Sequence, residues 1–301
     1  MLDSKYGKGK IVICTQPRPI AAKSLANYVS NEYEGDNKEK KIVKFYKEEM
    51  YNEYFLDTDK YQSALLYMKE HDLLKILEKK KFSRIGSIII DEAHERTVNC
   101  ECILGILKKN IKSLGKTKII ITSATLNANL FQNYFYNCNV LEIPGKLYNV
   151  KTNSSPVEEG MHYTEKAVEE IKEIINRFPS ESNTSNDILV FLPGKDDLFD
   201  SKKLLEKASK EFDEELEILL LYGGMKMKNY QDVFKKSPKR KVIFSTNIAE
   251  SSLTIDGIGY VIDSGFQKEK IYDSTLGIHT VSKLLISKSS AKQRSYFFST
   301  L

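Results

Sequence analysis

Asp91-Glu92-Ala93-His94-Glu95-Arg96 gathers acids, an imidazole and a guanidinium directly behind the apolar run Ser87-Ile88-Ile89-Ile90. A hard magnesium ion takes one or two carboxylates together with phosphate oxygens. A hydrolytic site also needs a carboxylate to orient or deprotonate the attacking water. Adjacent Asp91 and Glu92 can supply both functions. The same residues also suit a plainer role, a charged helix N-terminus, because acids there are favoured by the helix dipole.

Chemistry at that point requires a strand to deliver it. Consecutive isoleucines before Asp91 predict a strand buried on both faces, as in a parallel sheet covered by helices. Open α/β sheets bind ligands at the carboxyl ends of such strands. Two further stretches have the same form: Ile119-Ile120-Ile121 runs into Thr122-Ser123-Ala124-Thr125, and Val242-Ile243-Phe244 runs into Ser245-Thr246-Asn247 and on to Asp256. Lys10-Ile11-Val12-Ile13-Cys14 and Ile188-Leu189-Val190-Phe191-Leu192 read as two more buried strands, each followed by a turn and an apolar-periodic helix.

With these stretches in order, the chain resembles a DEAH-box helicase of superfamily two. Asp91-Glu92-Ala93-His94 matches motif II, Ser123-Ala124-Thr125 motif III and Ser245 to Ile255 motif V. Thr15-Gln16-Pro17-Arg18 matches motif Ia, Phe191-Leu192-Pro193-Gly194 motif IV, and Gln293-Arg294 the start of motif VI. The resemblance implies two RecA-like α/β domains in tandem, residues 1–148 and 149–301, with the site in the cleft between them. It implies an ATP-dependent RNA helicase using ATP and Mg²⁺. Asp91 would hold the metal and Glu92 orient the hydrolytic water, while His94, Ser123 and Thr125 link the nucleotide to the opposite domain. Phe234 would stack on adenine, Ser252 and Asp256 face the nucleotide, and Gln293 reach its γ-phosphate. Arg18, Gly194, Lys195, Thr246 and Asn247 would contact the backbone of single-stranded RNA with little sequence preference. An activating protein cofactor is a further partner of this class, and the nucleus the expected location.

Several positions depart from the family pattern. Pro19 stands where a second arginine is usual, Lys69 and His71 replace the Thr and Gly of motif Ib, and Pro193 replaces a threonine, removing a hydroxyl and an N–H. No Gly-x-x-x-x-Gly-Lys-Ser/Thr string occurs in the 301 residues, and Gln293-Arg294 continues as Ser295-Tyr296-Phe297-Phe298 instead of the Gly-Arg repeats of motif VI. The expectation is therefore a first domain without its phosphate-loop strand and a second truncated at motif VI, inactive by itself. The alternative is a non-catalytic module that binds nucleic acid or a partner.

Composition is compatible with these readings. Hydrophobic residues make up 41% of the chain and charged residues 29%, the balance of a globular protein, and the net charge of +5 is compatible with a polyanionic partner without requiring one. No apolar run approaches the roughly 18 to 20 residues of a membrane span, so no membrane role is expected. Cys14, Cys100, Cys102 and Cys138 show neither zinc nor disulfide spacing and are read as reduced thiols. Lys235 to Lys241 resembles a nuclear-import signal, although a solvated basic loop accounts for it more simply. A short strand is expected at Leu141 to Ile143, a helix over Thr164 to Phe178, another over Lys202 to Phe212, and alternating strands from Tyr260 to Ile286.

Overall fold

The computed structural model describes residues 9–34, 42–56, 63–80, 82–123, 128–143, 150–179, 186–250 and 255–295. The chain divides into two compact units, Met1–Glu142 and Ile143–Leu301.

In the first unit, β1 (Ile11–Gln16) leads into α1 (Pro19–Glu34), and β2 (Val43–Phe45) is followed by β3 (Ala64–Lys69), α2 (Glu70–Glu78), β4 (Ile85–Ile90), α3 (Val98–Lys109), β5 (Lys118–Ile121) and α4 (Ala128–Tyr134). The strands form a parallel sheet in the order β2-β3-β1-β4-β5. Apolar runs pay off here as expected: Ile11, Ile13, Leu66, Ile88 and Ile90 are fully buried in one core with Leu73 and Ile103. Pro19 opens α1, a position where proline is tolerated because the missing N–H has no intrahelical partner. Thr97 caps α3, its hydroxyl accepting from the Cys100 amide at 3.0 Å. β5 pairs only with β4 among the described residues, at the edge of the described sheet, and Ile119 to Ile121 are half-buried whereas every residue of β1 is buried.

The second unit begins with α5 (Tyr163–Arg177), closed at its start by a capping box between His162 and Glu165. It continues with β6 (Asp187–Phe191), α6 (Lys195–Ala208), β7 (Leu216–Leu221), α7 (Met227–Phe234), β8 (Arg240–Ser245), β9 (Ile258–Asp263), the antiparallel hairpin β10 (Phe266–Asp273) and β11 (Ile278–Leu285), and α8 (Lys288–Ser295). β7-β8-β6-β9 form a second parallel sheet. Its centre is the run Ile188 to Leu192 against Val242 to Phe244, all buried. Gly259 has no room for a side chain: a Cβ there would lie 2.9 Å from the Asn186 Cα.

Three expectations are corrected. Leu141 and Ile143 form no strand; they are 83% and 84% exposed, with no partner strand among the described residues to satisfy their backbone. The helix placed at Lys202 begins at Lys195, seven residues earlier, because the acids Asp196 and Asp197 favour the first turn. The basic stretch Lys235 to Lys241 is not simply a solvated loop. Arg240 and Lys241 open β8 and are buried. The Arg240 guanidinium donates to the carbonyls of Asn186 and Phe178 at 2.8 and 2.9 Å and to Glu214 at 3.0 Å. The Lys241 Nζ donates to the Val233 and Lys235 carbonyls at 3.0 and 3.2 Å. Two of the charges that make the stretch look like an address signal therefore hold the unit together.

Candidate nucleotide and RNA site

The acidic turn lies at the carboxyl end of β4, as the isoleucine run predicts. Asp91 is held from three directions. Its Oδ1 accepts from the Thr122 hydroxyl and from the Glu92 amide, the latter at 3.0 Å, and its Oδ2 accepts from the Gln16 side-chain amide. The backbone repeats this connection: the Asp91 N–H donates to the Thr15 carbonyl at 3.3 Å and the Ala93 N–H to the Thr122 carbonyl at 3.0 Å. The ends of the two neighbouring strands, together with Asp91's own turn, thus fix one carboxylate.

Glu92 and Arg96, at either end of the short 3₁₀ turn Ala93–Glu95, both adopt left-handed backbone geometry, with φ of 55° and 49°. For non-glycine residues that conformation is costly and is retained where surrounding contacts over-determine it, often at functional sites. It turns the Glu92 carboxylate back to within 3.4 Å of the His94 Nδ1, both side chains being largely shielded. Arg18, just past β1, has its Nε 3.6 Å from Glu95. Beneath this layer the Cys14 thiol has its pKa pushed up, chiefly by burial and secondarily by Asp91, so it stays protonated. Behind the turn, Thr97 donates to the buried Glu70, whose carboxyl is held above its ordinary range by burial, with Glu95 adding to the effect. Burial also pushes the adjacent Cys100 thiol up to about 12.

The donor set suits magnesium bound in the usual sparing way, through one carboxylate with waters and phosphate oxygens. A carboxylate offers about four acceptor positions, and Asp91 uses three of them on protein donors. One remains for a metal-bound water. Among the described residues no group of three or more His, Cys, Asp or Glu side chains gathers as a metal-ligand set.

In the second unit Gly194 and Lys195 follow β6 and Thr246 and Asn247 follow β8, at the carboxyl ends of the strands, whereas Asp256 and Phe234 precede β9 and β8 and lie toward the amino ends. Buried Gly194 caps α6, and the Lys268 side chain from β10 runs across its Cα, its Cε 2.7 Å from where a Cβ would sit. Lys195 is exposed, its Nζ 5.0 Å from the Tyr222 ring centroid and 5.7 Å from that of Phe199. Thr246, after β8, donates its N–H to the Leu221 carbonyl at 3.0 Å, and exposed Asn247 starts the next turn. Asp256 is exposed in the turn before β9. Phe234 ends α7 with 37% of its surface exposed and its ring 5.0 Å from that of buried Tyr230.

Gln293 is half-buried on α8, and Ser123 is exposed just past β5. Thr125 and Ser252 lie outside the described residues.

Sequence reasoning passed over three residues. Gln16 and Thr122 orient Asp91, and their signal was position: Gln16 ends β1 and Thr122 directly follows β5, the two strands flanking β4. Arg294 is the third. It is 1% exposed, donating to Glu250 and Asp263 at 2.9 Å each with its guanidinium carbon 4.8 Å from the Phe191 ring centroid. It locks α8 to the carboxyl end of the sheet.

Two parallel α/β sheets, each with polar loops at the carboxyl ends of its strands and one carrying an acid gripped by its neighbours, define a two-unit α/β protein of the kind that binds ligands at those strand ends. Comparison with known families gives the particular one. The DEAD/DEAH box helicase model matches residues 4–132 and the helicase conserved C-terminal domain model residues 166–295. This chain belongs to the DEAH-box helicases. It is 36% identical over 292 residues to the pre-mRNA-splicing factor ATP-dependent RNA helicase prp22 of Schizosaccharomyces pombe; that match takes in 95% of this chain and 24% of the relative. The chain thus spans about a quarter of that relative's length. The crystal structure of the Escherichia coli DEAH/RHA helicase HrpB matches with a TM-score of 0.80 and 21% identity over all of this chain and 36% of that one. That likeness bears on the fold, which is the tandem RecA-like arrangement.

Proposed function

We propose that this chain is the motor region of an ATP-dependent RNA helicase, coupling ATP hydrolysis to movement along RNA or remodelling of RNA–protein complexes. The observation that carries the reading is the three-donor grip on Asp91, reached on one side by Gln16, which ends β1 just before the turn that presents Arg18. Asp91 would hold magnesium and Glu92 the attacking water, with His94 orienting Glu92. Magnesium would neutralise phosphate charge when bound. Ser123, Thr125, Phe234, Ser252, Asp256 and Gln293 are assigned to the nucleotide. Arg18, Gly194, Lys195, Thr246 and Asn247 are assigned to the RNA backbone. The match to a relative described as a pre-mRNA-splicing factor supports RNA as the polymer and the nucleus as the setting.

Residues of this kind read phosphates, so affinity should depend on salt and little on sequence. Binding of several unrelated single-stranded RNAs at two salt concentrations tests this: similar affinities that fall together with salt are expected. Strong sequence preference with a flat salt response would overturn the assignment.

A further inference from the structure

Arg18 is engaged in the absence of RNA: its Nε lies 3.6 Å from Glu95 Oε1, with side chains 23% and 19% exposed. Pro17 and Pro19 flank it, fixing φ on either side and presenting the arginine from a stiff turn. Gln16, which ends β1 just before that turn, donates to Asp91. The end of β1 and the turn after it therefore touch both ends of the acidic segment. Glu95 is in turn tied to Glu92, donating its N–H to the Glu92 carbonyl at 3.0 Å.

We propose that Glu95 is a positioning residue that occupies Arg18 until RNA arrives, and that a backbone phosphate takes its place on the guanidinium when the strand binds. The inference rests on the reading above that Arg18 contacts RNA. Carboxylate and phosphate oxygens are both good acceptors for the guanidinium fork, and they compete for the same N–H groups. A partly exposed ion pair of this kind is worth a factor of about two to five in an equilibrium, weak enough to give way to a phosphate and strong enough for its loss to be measured. Once displaced, the Glu95 carboxylate loses its Arg18 partner while it stays near Glu70, a second carboxyl in a buried position. The acidic turn then has a reason to shift, and the shift begins one hydrogen bond away from Glu92. Polymer binding would thus be felt at the water-orienting residue through two contacts, Arg18 to Glu95 and Glu95 to Glu92.

The test is fluorescence anisotropy of a labelled oligouridine with the 301-residue chain at low salt. Arg18→Ala should weaken binding. Glu95→Gln should tighten it about two- to fivefold, and that gain should vanish when Arg18→Ala is added. Glu101→Gln removes an equal charge from the neighbouring helix, where Glu101 pairs with Arg96, and should not reproduce the gain. Should Glu95→Gln lose its cooperative thermal transition, Glu95→Asp, with a shorter arm, is read against the same Arg18→Ala background and should give a partial gain. If Arg18→Ala weakens binding but removing the Glu95 carboxylate does not tighten it, the exchange is wrong while the RNA reading stands. If Arg18→Ala has no effect, the RNA reading fails and the exchange with it.

Discussion

Asp91 and Glu92 sit side by side yet are set up for different work. Asp91 is immobilised by donors from β1, β5 and its own turn, whereas Glu92 is swung out on a left-handed backbone toward His94. An acid held this firmly would suit a metal, and one turned toward an imidazole would suit the orienting of a water, as proposed above. In a version of the protein that carries a phosphate loop, Glu92→Gln should lower ATP turnover by about a hundredfold or more while ATP still binds; an unchanged kcat in a steady-state assay would remove Glu92 from the mechanism. The grip itself has a cost when loosened. Thr122→Val should destabilise the first unit by about 1 to 2 kcal/mol, the worth of a partly solvated hydrogen bond to a charged group, measured by urea unfolding. The acids were legible in the sequence because charge breaks in abruptly after three isoleucines. Thr122 was not, since a threonine ending an isoleucine strand looks like an ordinary β-former. The left-handed Glu92 was also hidden, because local preference assigns that geometry to glycine or asparagine.

Elements whose burial follows from apolar runs were placed well, and those whose position depends on buried charge were not. β1, β4, β5, β6 and β8 follow their runs closely, whereas the start of β8 at Arg240 and Lys241 reads as solvent-facing until the carbonyls of Asn186, Phe178, Val233 and Lys235 come into reach. α8 is a similar case. Its composition is almost wholly polar, and what fixes it is one arginine bridging the ends of two segments, Glu250 after β8 and Asp263 closing β9. Arg294→Met should cost about 3 to 5 kcal/mol because both carboxylates lose their buried partner. Arg294→Lys should recover part of that, since one ammonium cannot span both; comparison of urea midpoints checks the order. Between α2 and α3 the sign is reversed. The folded-state pKa of Glu70 lies above its ordinary 4.5 because burial disfavours the charged form. The folded state then holds its proton more tightly than the unfolded state, so stability falls as pH rises from about 4.5 through the folded value. Glu70→Gln keeps an acceptor for Thr97 and should flatten that decline, raising stability at pH 7 in parallel pH titrations of the two proteins.

At the scale of the whole molecule, each unit presents its polar loops at the carboxyl ends of a parallel sheet, which is where this class of fold binds ligands. What a positioned carboxylate can do there depends on a triphosphate being held, and in related enzymes a glycine-rich loop supplies most of that hold through its backbone amides and lysine. No such string occurs in these 301 residues. The open side of β5, half-buried and paired only with β4 among the described residues, has the exposure of a strand that profits from a further neighbour. Assayed alone, residues 1–301 should therefore bind RNA in a salt-dependent way but show no RNA-stimulated ATP hydrolysis and no duplex unwinding. A longer chain that supplies a Gly-Lys-Thr loop and the arginines of a full motif VI should gain turnover by a large factor, because an arginine finger alone is worth on the order of 10³ to 10⁵ in related nucleotide hydrolases. Phosphate release measured with and without oligouridine separates the two cases. Robust hydrolysis by the 301-residue chain, abolished by Asp91→Ala, would show that Asp91 and its three donors act on a triphosphate held by some other part of these two units.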